Sequence, residues 1–120
     1  MAKRTPPMSR IELVQGTLDL IILQTLRWGP RHGYGIGLMI RAASRNALQV
    51  DAGSLYPALY RLERQGAVAA QSDVTEKNQR VRVYRLTANG RKRLAAERSR
   101  WTQFNEAIAG IFVRPEESNA

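Results

Sequence analysis

Apolar positions recur along this chain at two periods, and the change from one to the other divides it into elements. Leu18, Ile21, Ile22 and Leu26 keep a 3.6-residue period until Trp28-Gly29-Pro30 ends it, which predicts a first helix with Thr17 as N-cap. Leu20 stands at its third helical position, so the cap lacks the Glu or Gln of a capping box. This helix carries little charge and is expected at the core, with Ile11 and Val14 adding a turn upstream. Ile36, Met39, Ile40 and Ala43 predict a second amphipathic helix ending near Arg45-Asn46. Leu48-Gln-Val-Asp51 reads as a brief extended segment. Leu55, Leu59 and Leu62, at i, i+4 and i+7, then predict a third helix over residues 54–65. Ser54 is its expected N-cap, Pro57 its third residue, where an N–H is not needed, and Gly66 its stop.

After Gly66 the period shortens to two. Residues 67–74 form a weak strand, and Val81-Arg-Val-Tyr-Arg-Leu86 is a clear β-branched and aromatic one. The polar stretch 75–80 between them predicts a hairpin with Lys77, Asn78, Gln79 and Arg80 at its tip. Its alternation is imperfect, because Val81 and Val83 point one way and Tyr84 and Leu86 the other. A hairpin wrapped between a core and a bound partner explains that, and so does a bulge. Thr87 caps a last helix of about residues 88–113, roughly 39 Å long at 1.5 Å per residue. Leu94, Trp101 and Ile108 fall seven apart on it as a positions of a heptad, with Phe104 and Ile111 at d positions and Glu97 the polar d residue. A compact head of this size does not cover so long a stripe, so these residues are the expected dimer interface; folding back onto the chain's own head is the alternative.

The domain organisation that follows is a basic arm (1–9), a head (10–87), a dimerisation helix (88–113) and a polar tail (114–120). The arm is either a loose terminus or a phosphate contact. The fold class is mainly α with a small β-hairpin. Helix, helix, short strand, helix, hairpin is the order of a winged helix-turn-helix, whose third helix enters the major groove of DNA while the hairpin, or wing, contacts flanking backbone or minor groove.

Composition narrows the chemistry. A chain of 120 residues makes one domain, small enough that burial through oligomerisation helps. Nineteen Lys and Arg against ten Asp and Glu leave a net charge of +9, a field that attracts polyanions. With no cysteine there are no disulfides and no thiolate metal site. The single histidine, His32, starts a helix without an activating partner in the pattern and is expected to cap or pack. Gly33, Gly35 and Gly37 lack the spacing of a nucleotide loop and suit close helix packing. No acid pair and no zinc-binding motif is present, so neither an enzyme nor a cofactor is expected. The apolar run Leu20 to Leu23 is far too short for a membrane span, and no apolar segment follows Lys3 and Arg4 as in a signal peptide, so the expected location is cytoplasmic.

On the third helix, Pro57, Tyr60, Arg61 and Arg64 fall opposite the leucine stripe, leaving a face with two guanidinium groups, a phenol and no acid. The candidate DNA contacts are therefore Ser54, Tyr56, Tyr60, Arg61 and Arg64 on this helix. Tyr34 at the start of the second helix and Lys77, Asn78 and Arg80 in the wing complete the set. Arg61 and Arg64 reach either guanine edges or phosphates, and Ser54 either touches DNA or only caps. Two other classes remain. An RNA-binding protein fits the charge but lacks RNP-type aromatic strands and a GXXG clamp, and a dimeric adaptor would use the long helix alone.

Four blocks, Gly16-Thr-Leu-Asp-Leu-Ile-Ile-Leu, Gly29-Pro-x-His-Gly-Tyr-Gly-Ile, Gly53-Ser-Leu-Tyr-Pro-Ala-Leu-x-Arg-Leu-Glu-x-x-Gly66 and Tyr84-Arg-Leu-Thr-x-x-Gly90, resemble the signature of PadR-like transcriptional regulators. The resemblance covers about residues 10–112, and the single last helix resembles the small subgroup of that family. It implies a homodimeric repressor on a palindromic operator, released by a small-molecule effector. It also implies that Ser54, Tyr56 and Tyr60 lie in or beside the recognition helix and Lys77 and Arg80 in the wing. The effector pocket it implies lies at the dimer interface, between the first and last helices, where Trp101 either stacks on a planar apolar ligand or simply fills the seam. In the wing strand the family's usual Lys-Tyr-Tyr-Arg-Leu-Thr is here Arg82-Val-Tyr-Arg-Leu-Thr.

Overall fold

The computed structural model describes residues 15–113. The expected arm (1–9), the upstream turn with Ile11 and Val14, and the tail (114–120) lie outside the described residues. The chain runs α1 (Gln15–Arg27), β1 (Arg31–His32), α2 (Gly33–Ala43), α3 (Ala52–Arg64), β2 (Val68–Val74), β3 (Arg80–Leu86) and α4 (Ala88–Phe112). One core holds the head together: Leu18, Ile22, Leu23 and Leu26 of α1 meet Ile36 and Ile40 of α2 and Leu55, Leu59 and Leu62 of α3. Burying side chains of this size stabilises by about 1.5–3 kcal/mol each, before the cost of ordering the chain.

Two helix starts differ from expectation. Thr17 lies inside α1 rather than at its cap. At α3 the cap is Asp51, whose side chain accepts the Ser54 N–H at 2.8 Å, so the helix begins before Ser54 and Ser54 is its third residue. Pro57 consequently sits further in, where the bond it cannot make is to the carbonyl of Gly53, still in the exposed first turn. The far end is as predicted. Gly66 has φ +78, and the Gly66 and Ala67 N–H groups return to the Glu63 and Leu62 carbonyls at 3.0 Å each, the paired bonds of a Schellman stop.

The extended segment expected at 48–51 is not a strand. Leu48 and Val50 instead pack partly buried against the core, and the Ser44 hydroxyl accepts the Leu48 N–H at 2.9 Å. The short strand is β1, which pairs antiparallel to β3 with Arg31 opposite Tyr84 and His32 opposite Val83, giving sheet order β1-β3-β2. His32 then caps α2, its Nδ1 accepting the Gly35 N–H at 3.0 Å, as its position suggested.

The wing's register is unbroken from Val68 opposite Leu86 to Val74 opposite Arg80, which removes the bulge reading. What changes along β3 is the covered face. Tyr84 and Leu86 are buried in the head, whereas further out Val81 and Val83, on the other face, are partly shielded. The tip turns through Asn78 in the left-handed region (φ 64), whose N–H returns to the Thr75 carbonyl at 2.8 Å.

Thr87 caps α4 as predicted, accepting the Gly90 N–H at 2.9 Å and donating to the Gly66 carbonyl at 2.6 Å. Leu94 is a correction. It belongs to the head's own core, 3% exposed, and so has no surface left for a dimer seam. Beyond it α4 leaves the head, and Trp101, Phe104, Ile111 and Phe112 are exposed with Ile108 half-buried. Among the described residues no helix is long and apolar enough to cross a membrane.

Candidate nucleic-acid interface

The face opposite the α3 core is built from the residues that the core leaves over. Tyr60 and Arg64, one turn apart, are both exposed, and the Arg64 guanidinium lies 5.6 Å from the centre of the Tyr60 ring. That contact orders the exposed arginine, for about 0.5–1 kcal/mol at such a site. Ser54 is exposed at the start of the helix.

Tyr56 and Tyr34 continue the surface toward the wing. The two tyrosines share a cleft of about 490 Å³ between α2 and α3. Gly33 makes room for it, since a Cβ there would come within 2.5 Å of the Tyr56 ring. Tyr34 is also stacked near the His32 ring, 6.4 Å between centres, and lines a second cleft of about 460 Å³ with Lys77 and Val81. Tyr56, Tyr34 and Lys77 thus form one continuous line from α3 across α2 to the hairpin tip, where Asn78 and Arg80 are exposed as well.

Arg61 does not join this face. Its side chain turns inward and bonds to Asp19, a carboxylate buried in α1, whose other oxygen takes Arg93 of α4 at 2.9 Å. The reason is angular. The buried arc of α3 includes Ala58 as well as the three leucines, and at about 100° per residue Arg61 falls roughly 110° from its centre, on the flank. From the flank a long side chain reaches a buried acid as readily as solvent.

Three further residues escaped the sequence reading. Asp19 was visible as the single acid within an otherwise apolar helical stretch, and a buried carboxylate needs a cationic partner. Glu63 and Arg82 join α3 to the wing through a two-pronged pair at 2.7 and 2.9 Å. Both lie in predicted elements, but nothing in their spacing announced that these would meet. The Arg82 pKa is raised further, by the Tyr84 side chain first and then by Glu63, so its charge is fixed at any working pH.

A different cleft, about 670 Å³, opens between α1, α2 and the emerging α4, with Leu20, Ile21, Trp28 and Leu48 facing Arg98 and Trp101. Trp101 therefore walls a largely apolar hollow within a single chain. Among the described residues no group of His, Asp and Glu side chains is arranged to hold a metal ion.

A three-helix head, an antiparallel wing and an exposed basic and aromatic face between them define a winged helix-turn-helix DNA-binding regulator. Residues 22–96 match the model of the transcriptional regulator PadR-like family, and the chain belongs to that family of regulators, which are not enzymes. An uncharacterized protein of Lysinibacillus sphaericus is 31% identical over 102 residues, 84% of this chain and 93% of that one. A transcriptional regulator of Mycobacterium tuberculosis is 36% identical over 67 residues, 56% of this chain and 62% of that protein. The structure of a transcriptional regulator from Clostridium thermocellum superposes with a TM-score of 0.75 at 28% identity, covering 82% of this chain and 96% of the other.

Proposed function

We propose that this DNA-binding regulator is a cytoplasmic homodimeric repressor that reads a palindromic operator. In this reading the head, residues 10–87, carries α3 into the major groove. Tyr60 and Arg64 face the bases, Ser54 and Tyr56 lie beside them, and Tyr34, Lys77, Asn78 and Arg80 hold phosphates on either side. The helix 88–113 joins two copies through Trp101, Phe104, Ile108 and Ile111. A small planar effector, seated against Trp101 between α1 and α4, releases the operator.

The observation that carries the reading is the continuous line of exposed tyrosine and basic side chains from Arg64 and Tyr60 through Tyr56 and Tyr34 to Lys77. Its position on α3 and the wing fits groove and backbone contact, since phosphate contacts fix register and base-edge contacts supply specificity. Competition binding with duplex DNA, single-stranded RNA and a simple polyanion at two salt concentrations tests it. Sequence-selective duplex binding that survives moderate salt is the expected result. Uniform loss of all three with salt would reduce the protein to a polycation.

A further inference from the structure

Among the described residues Asp19 is the only charged side chain in the buried core, at 2% exposure, and both of its oxygens are occupied. Arg61 of α3 donates to Oδ1 and Arg93 of α4 donates to Oδ2 at 2.9 Å. Arg93 is itself held by Glu97 through Nε at 2.9 Å and by Gln65 at the end of α3 through Nη1 at 2.5 Å. One carboxylate on α1 therefore ties the helix assigned to the groove to the helix assigned to the dimer. Buried ion pairs are a poor source of net stability, because desolvation offsets most of the attraction, but they hold their partners to a narrow geometry.

That geometry matters in a dimer. The two copies of α3 must present themselves about 34–36 Å apart, or a multiple of that, on one side of the duplex. Trp101 to Ile111 lie along α4 beyond Arg93. A tilt of about 10° at the clamp moves Ile111, about 27 Å further along the helix, by about 5 Å, more than one 3.4 Å base-pair step. The neighbours of Asp19 on α1, Leu20 and Ile21, line the apolar cleft that Trp101 closes, so anything seated there presses on the same helix.

We infer that Asp19 is a positioning residue for operator recognition, and that Arg61 and Arg93 act through it rather than on DNA. This rests on the assignment of α3 to the groove. The test compares Asp19→Asn, Arg61→Gln, Arg93→Gln and the double variant Arg61→Gln/Arg93→Gln with Arg64→Ala. Each is measured on operator duplexes with native and altered half-site spacing, over a range of salt, beside thermal melting.

Arg93→Gln is the sharpest arm, since Arg93 sits on α4 away from the proposed DNA face and needs no intact Asp19 variant to be read. The expected result is that Arg61→Gln and Arg93→Gln each weaken operator binding about tenfold. Their losses should not add in the double variant, the salt slope should stay unchanged, and the preference among half-site spacings should be blurred. Asp19→Asn, if it folds, should match them. Wild-type affinity in Arg93→Gln, or a loss confined to Arg61→Gln with a salt slope lower by about one, would overturn the inference and make Arg61 a phosphate contact. Wild-type affinity in Arg64→Ala would instead remove α3 from the groove, a failure of the underlying reading.

Discussion

A methyl group added at two glycines would meet very different neighbours. At Gly90 the new Cβ would run into the backbone carbonyl of Ala67, which is fixed as the acceptor of Thr87. At Gly33 it would meet the ring of Tyr56, the far end of a side chain that is already partly exposed. Overpacking against fixed backbone costs about 1–3 kcal/mol, whereas a ring with open space beside it swings away for less. Gly90→Ala should therefore lower the melting temperature by several degrees, at about 4 °C per kcal/mol for a chain of 120 residues. Gly33→Ala should melt within a degree or two of wild type and yet bind operator less tightly, because it displaces Tyr56 from the face shared with Tyr34. Calorimetry and a binding titration on both variants check the contrast, and equal melting temperatures would contradict it.

Elements were legible wherever their period and their stop residues agreed. The leucine stripe of α3, its Gly66 stop, the Thr87 cap of α4 and a hairpin turn after Val74 all follow from local chemistry. They are where the residues indicated, except that Arg80, expected at the tip, opens β3 opposite Val74. Local chemistry was ambiguous at the start of α3, where Asp51 and Ser54 are both good caps and only the fold chooses between them. It was silent about β1, because a strand of two residues has no period, and its pairing with β3 is set by a distant segment. Arg61, Asp19, Arg93, Glu63 and Arg82 share this limit: their partners lie on other elements, and spacing along one helix does not reveal them. The cap assignment is directly measurable. Asp51→Ala should cost about 1 kcal/mol of stability. Ser54→Ala, whose N–H rather than hydroxyl does the work, should stay within about 0.5 kcal/mol of wild type. The reverse order in denaturant melts would restore Ser54 as the cap.

For the whole molecule the telling feature is how α4 divides. Its first turns belong to the head through Gly90, Leu94 and the Arg93 network, and its later turns present Trp101, Phe104, Ile111 and Phe112 to solvent, Phe112 at 82% exposure. An apolar stripe of that kind on a charged chain is a surface suited to another protein, and in the proposed homodimer a second copy of the same helix covers it with a closed, self-complementary seam. In that proposal two heads held by one seam carry two copies of α3, matching the two half-sites of a palindromic operator. Selection of bound sequences from random duplex DNA tests that claim most directly. Enrichment of an inverted repeat, with half-sites centred about 10–10.5 base pairs or a multiple apart, is the result a dimer reading the groove through α3 must give. Recovery of unrelated sequences, or of a single asymmetric half-site, would contradict it.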